Sequence, residues 1–148
     1  ESLFMRDVRS SAGAVGLMQL MPATGREVAK NIRLPYSGIA TLTNPESNIR
    51  LGTSYLSKMS QKFSGNPVLA TAAYNAGPHR VMRWLPEKSS EDARVWIENI
   101  PFNETRKYVK RVLAAQAIFH WRMTGQVRRL SDELLQVEAS AEAQLASR

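Results

Sequence analysis

The chain of 148 residues contains no cysteine. Disulfides and thiolate metal sites are both excluded, so the fold must stand on packing alone. No apolar run approaches the roughly 18 to 20 residues needed to cross a bilayer, and no basic and then apolar segment of the signal-peptide kind follows Glu1. Histidine is scarce: His79 and His120 stand alone, no pair of ligands falls at a metal-binding interval, and no metal site is expected. Internal repeats, low-complexity tracts and segments that alternate apolar and polar residues over strand length are also missing. Only an all-α class remains.

What is present suits a globular domain with a real core, since 43% of the residues are hydrophobic. The formal net charge is +7, unevenly spread. Residues 1–77 carry eight basic against four acidic groups, residues 78–130 eleven against five, and residues 131–148 one against four. A basic middle attracts polyanions in general, and nucleic acid, acidic lipid and anionic cell-wall polymer all qualify; ordinary solvated charge is the plainer reading. Arg106, Lys107, Lys110 and Arg111 cluster at the start of one predicted helix, but no helix-turn-helix signature accompanies them, so nucleic acid is not the expected partner.

Helix starts are marked by caps. Asn44-Pro45-Glu46 reads as N-cap, first-turn proline and first-turn acid, and it opens a stretch that puts Ile49, Gly52, Leu56, Met59 and Phe63 on one face before Gly65 ends it. Asn66-Pro67 repeats the signal before Val68-Leu69-Ala70-Thr71-Ala72-Ala73-Tyr74, which is apolar on nearly every side and predicts the core helix. Shorter helices are expected over 22–31, 78–85 and 90–100, the last with Glu91 and Asp92 in its first turn. From Asn103 a long helix carries Tyr108, Val112, Ala115 and Phe119 at helical spacing until Gly125. Beyond Ser131 the chain is alanine-rich and acidic, a peripheral helix or a loose tail.

Three places could carry chemistry. Glycoside cleavage needs a proton donor, usually a carboxyl whose pKa an apolar setting raises, and Glu1 with Leu3 and Phe4 beside it fits that need, although a lone glutamate is more often a solvated surface group. Gly13 and Gly16 let a loop approach closely, Gln19 offers donor and acceptor, and Met18 and Met21 offer flexible apolar contact of the kind sugar faces accept. A phosphate-binding glycine loop is excluded because neither its lysine nor the dinucleotide spacing is present. Tyr74 and Asn75 end the core helix just before Gly77-Pro78; they can face a cleft, or pack in the core and satisfy the helix terminus.

Five ordered blocks then carry a resemblance. Glu1-Ser2 with Phe4, Gly13-Ala14-Val15-Gly16-Leu17-Met18-Gln19-Leu20-Met21-Pro22-Ala23-Thr24, Asn48-Ile49-Arg50-Leu51-Gly52-Thr53-Ser54-Tyr55-Leu56, Ala72-Ala73-Tyr74-Asn75-Ala76-Gly77-Pro78 and Ile100-Pro101-Phe102-Asn103-Glu104-Thr105-Arg106-Lys107-Tyr108-Val109 together resemble the catalytic domain of soluble lytic transglycosylases, related to goose-type lysozyme. The resemblance runs from residue 1 to about residue 125, which it marks as the catalytic domain, with 126–148 as a peripheral helix or tail. His79, at a turn position where the family often has glycine, and Val15 are mild departures; His79 is read as a surface residue. The resemblance implies an α-helical lysozyme-like fold, no cofactor, peptidoglycan glycan strands as partner, and a periplasmic location. It also implies that a helix precedes and orients Glu1 in the intact protein.

By the same resemblance Glu1 is the sole catalytic acid/base. Ser10 lies near the muramyl acetamido group, Gln19 and Met21 lie along the sugar cleft, and Tyr74 and Asn75 stand at the reacting subsites. Glu98 lies beside bound glycan or peptide, and Tyr108 close to the catalytic carboxyl. The reaction implied cleaves between N-acetylmuramic acid and N-acetylglucosamine and leaves a 1,6-anhydro end. The alternatives are an inactive glycan-binding fragment and a lysozyme-type hydrolase.

Overall fold

The computed structural model describes residues 8–127 and 129–140. Among these the regular structure is helical throughout: α1 (Pro22–Asn31), α2 (Ile39–Thr43), α3 (Pro45–Lys62), α4 (Pro67–Ala76), α5 (Pro78–Arg83), α6 (Ala93–Asn99), α7 (Asn103–Thr124) and α8 (Leu130–Glu133). Extended pairing is limited to isolated antiparallel bridges, Arg9 with Val15, Val15 with Leu20 and Glu91 with Val137. The all-α expectation holds. The chain forms two compact units, Glu1–Lys58 and Met59–Arg148.

In the first unit, α1 begins at Pro22, whose fixed φ suits a first helical position and whose missing N–H would have had no partner there. It buries Val28 and Ala29 and packs against α2, which buries Leu42. The Tyr36 hydroxyl donates to the Pro22 carbonyl at 3.0 Å and ties the segment between the two helices back to the start of α1. Asn44 caps α3 as expected, its Oδ1 accepting from the Ser47 N–H at 2.9 Å.

The face that α3 buries differs from the expected one. Asn48, Leu51, Gly52, Met59 and Phe63 are buried, whereas Ile49 and Leu56 are exposed. The helix is rotated so that Asn48, a polar residue, points inward, because backbone groups that need its amide lie there. Hydrophobic spacing alone favours Ile49 and cannot register that demand.

The second unit is built on α4. Asn66 Oδ1 accepts from the N–H groups of Val68 at 3.0 Å and Leu69 at 3.2 Å, satisfying two of the free donors at the helix start. Val68, Leu69, Ala70, Thr71, Ala72, Ala73 and Ala76 are all buried, and α5 and α7 pack against this helix. Full burial of Val68 contributes about 1.5–3 kcal/mol, and the alanines let neighbouring backbones approach closely.

α7 faces α4 with Thr105, Val109 and Leu113, a strict four-residue repeat. Of the expected stripe, Tyr108 and Val112 lie half-buried at its edge, and Ala115 and Phe119 are exposed. α6 starts later than expected, at Ala93. Asp92 is its N-cap, accepting from the Arg94 N–H at 2.8 Å, and Glu91 is drawn out of the helix into an extended pair with Val137. The Trp96 indole donates to the Trp84 carbonyl at 2.8 Å and fixes α6 to the end of α5. Past α8 the described residues up to 140 dock on this unit: Val137 and Ala139 are buried, and Ser140 N–H donates to the Pro86 carbonyl at 3.0 Å.

Candidate functional site

Ser10, Gln19 and Met21 belong to the first unit, on the segment that precedes α1. Val15 exchanges both backbone bonds with Leu20, at 2.9 and 3.0 Å, closing a tight turn over 16–19. Two features hold this turn against α3. Asn48 is fully buried and bonds it from both ends of its amide, Oδ1 accepting from Met18 N–H at 2.7 Å and Nδ2 donating to the Val15 carbonyl at 3.1 Å, while Nδ2 also donates to the Leu42 carbonyl of α2 at 2.8 Å. Gly16, at φ 78°, sits so close that a Cβ there would come within 2.3 Å of the Leu42 carbonyl oxygen. Gly52 makes the matching close approach on α3, where a Cβ would come within 2.5 Å of the Met18 side chain.

Gln19 adopts φ 49°, a left-handed conformation that costs a non-glycine residue about 1 kcal/mol. Its own side chain offsets the cost: Nε2 donates to the Gly16 carbonyl at 2.8 Å and the Val8 carbonyl at 3.3 Å. The amide is thereby orientated, and Oε1 makes no hydrogen bond to any described residue. Ser10 is half-buried and its Oγ accepts from the Ala14 N–H at 3.0 Å, so its hydroxyl proton is still available to donate. Met21 stands immediately before α1 with 43% of its surface exposed, an apolar contact open to solvent.

The other candidates lie in the second unit. α4 and α7 bring Asn75 and Thr105 together: the buried Thr105 hydroxyl donates to Asn75 Oδ1 at 2.7 Å, and Asn75 itself is exposed. Tyr74 is half-buried on the preceding position of α4. Tyr108 follows Thr105 by one turn of α7, and burial pushes its phenol above the ordinary value of 10.0, so it stays neutral and able to donate at neutral pH.

Glu98 is engaged from two sides. Its carboxylate pairs with Lys110 at 2.6 Å and its backbone carbonyl accepts from Arg106 Nη1 at 2.7 Å, while Arg106 Nη2 also bonds Asn103 Oδ1. Half of the basic cluster read from the sequence thus serves to clamp the end of α6 onto α7. Nearby, the Arg80 guanidinium lies 5.2 Å over the Phe102 ring, and Trp84 meets the same ring edge-on at 5.2 Å.

Glu1, the expected acid, lies outside the described residues. Two residues were given no role in the sequence reading and turn out to organise the candidates: Asn48 in the first unit and Thr105 in the second. The available signal was a polar residue at a core position of an otherwise apolar helical face, Asn48 four residues before Gly52 and Thr105 four before Val109. His79 is exposed, as expected of a surface residue. Among the described residues no group of three His, Asp or Glu side chains is placed to hold a metal ion, and no helix is long and apolar enough to cross a membrane.

This polar-pinned loop and amide-bearing helix end sit in a recognised type of chain. The Transglycosylase SLT domain family matches residues 1–97, and the chain belongs to that family; the family described as Soluble lytic transglycosylase helical domain matches residues 99–127. The chain is 46% identical over 134 residues to a soluble lytic murein transglycosylase of Salmonella typhimurium, a match covering 89% of this chain and 21% of that protein. An X-ray structure of an inactive mutant of the lytic transglycosylase Slt from Pseudomonas aeruginosa shares its fold with a TM-score of 0.79 at 46% identity, over 87% of this chain and 21% of that one. A 70-kDa soluble lytic transglycosylase solved with bulgecin A is similar with a TM-score of 0.76 at 38% identity, over 97% and 22%. The chain therefore spans about a fifth of the length of these relatives. Its helical fold is lysozyme-like, as the resemblance implied.

Proposed function

We propose that this chain carries the catalytic region of a lytic murein transglycosylase, residues 1–125, acting on peptidoglycan glycan strands in the periplasm without a cofactor. The observation that carries the reading is the family match over residues 1–97, which begins at the candidate acid Glu1 and takes in the pinned loop with Gln19 and Met21 and the helix end with Tyr74 and Asn75. In the proposed reaction neutral Glu1 protonates the glycosidic oxygen between N-acetylmuramic acid and N-acetylglucosamine, and positive charge grows at the anomeric carbon. The acetamido oxygen of the substrate stabilises that charge in place of a second enzyme carboxylate. Glu1, now ionised, takes the proton of the muramyl C6 hydroxyl, whose oxygen closes on the anomeric carbon within the same sugar and gives the 1,6-anhydro end. Gln19 Oε1, the Ser10 hydroxyl and Met21 supply acceptor, donor and apolar contact along the glycan, and Glu98 stands beside bound glycan or peptide. Tyr74, Asn75 and Tyr108 surround the reacting sugars.

Digestion of purified sacculi by the intact protein, with mass spectrometry of the products, tests this. Anhydro-ended muropeptides, lighter by one water than hydrolysis products, are expected. Glu1→Gln is expected to abolish their release while sacculus binding persists. Reducing ends would make the protein a lysozyme-type hydrolase, and binding without release a glycan-binding module; turnover by Glu1→Gln would remove Glu1 from its role.

A further inference from the structure

A buried hydroxyl must donate its proton somewhere, and Thr105 has a choice. In the first turn of α7 it could bond back to the carbonyl of Pro101 or Phe102, three or four residues earlier, as helical threonines often do. Instead it reaches across to α4 and donates to Asn75 Oδ1 at 2.7 Å, while only 2% of Thr105 is exposed. This fixes which end of the Asn75 amide faces which way. Oδ1 is engaged by the Thr105 hydroxyl, and Nδ2, the other end of the same amide on an exposed residue, makes no hydrogen bond to any described residue.

We propose that Thr105 is a positioning residue that sets the carboxamide of Asn75 as a hydrogen-bond donor toward an acceptor oxygen of an N-acetylated sugar. The inference rests on the transglycosylase reading and deepens it: the helix end recognises an oxygen acceptor, and the choice of donor over acceptor is made on a different helix, thirty residues along the chain. Without the hydroxyl this bias is lost, and an amide that turns Oδ1 outward presents an acceptor to the acceptor oxygen of the sugar.

The test compares Thr105→Val, which keeps the shape and removes the donor, with Thr105→Ser, which keeps the hydroxyl, in the intact protein. Turnover of soluble glycan strands gives kcat and KM, and calorimetry with the tetramer of N-acetylglucosamine gives affinity without turnover. Thr105→Val is expected to raise KM and weaken tetramer binding about five- to tenfold, the worth of one neutral hydrogen bond, with kcat within about twofold. Thr105→Ser is expected to stay within about twofold of the unsubstituted protein in all three. Equal impairment of the two variants, or unchanged KM and affinity in Thr105→Val, would overturn the proposal.

Asn75→Asp, at an exposed position, removes the same Nδ2 donor without touching the core. It should weaken tetramer binding as Thr105→Val does, and the double substitution should add nothing further. Additive losses would mean that the two residues act separately. If the unsubstituted protein binds the tetramer but releases no anhydro product, the transglycosylase reading fails while the binding arm still decides the role of Thr105.

Discussion

The loop over residues 8–21 and the helix α4 solve opposite problems. The loop fully buries two apolar side chains, Val15 and Leu20, and it is held by a buried amide, a glycine with no room for a side chain and a glutamine that bonds its own turn. α4 is held by burial on nearly every side, and its polar ties lie at its two ends, the cap at Asn66 and the bond from Thr105 to Asn75. Apolar packing is indifferent to small rotations, whereas a set of hydrogen bonds to one buried amide admits a single geometry. A candidate ligand-facing group therefore needs the polar kind of support, on the loop and at Asn75 alike, and the buried middle of α4 does not.

The largest effect that would sharpen this contrast is Asn48→Ala. It removes the bonds to the Met18 N–H and the Leu42 carbonyl and one of the two on the Val15 carbonyl, and a loss of about 3 kcal/mol is expected in urea denaturation. Hydrogen exchange should show fast amides at Met18 and Leu20 before any change in α4. Protection that falls equally in both places would mean that the loop and α4 do not differ as argued. Val68→Ala should cost less, about 2 kcal/mol, through lost burial and the cavity left behind. Its effect should spread through α4 and α7 and leave the exchange of loop residues 15–20 unchanged.

The smallest effect concerns charge at the surface. The Arg94 side chain bonded to Asp92 holds that carboxyl down to about 2 from its ordinary 3.8. Because the folded value is the lower one, the contribution is complete above pH 3.8 and is lost as pH falls through about 2. Asp92→Asn keeps a capping side chain and removes the titration. Thermal melts should show a slightly shallower acid fall for the variant within that window and no difference in shape above it; identical acid limbs would show that the pair contributes nothing, as many exposed pairs do.

What the sequence reveals here is what depends on near neighbours. Pro22 and Asn66-Pro67 start α1 and α4 where expected, because a proline and a cap act on the residues directly after them. Buried faces are less legible. Ile49 and Leu56 fit the spacing of α3 better than Asn48 does, yet the helix turns Asn48 inward to serve a loop thirty residues earlier. Glu91 looks like a first-turn acid and is taken instead by Val137. α2, five residues long, gives no periodicity to find. Among the candidates, the residue types were legible and the orientation of their amides was not, since that is set for Asn75 by Thr105 and for Gln19 by a turn whose shape no local pattern announces.

Asn66 has a second consequence. Its Oδ1 caps α4 while its Nδ2 donates to the Gln136 carbonyl at 3.0 Å, so one side chain both begins the core helix and holds a segment seventy residues downstream. Together with the Glu91–Val137 pair, this turns the stretch after α7 into a clasp that closes the second unit on itself. A protein cut at residue 127, where the family match ends, would keep every candidate residue and yet open that clasp. It would leave the Asn66 amide half used and uncover the ground beneath Val137.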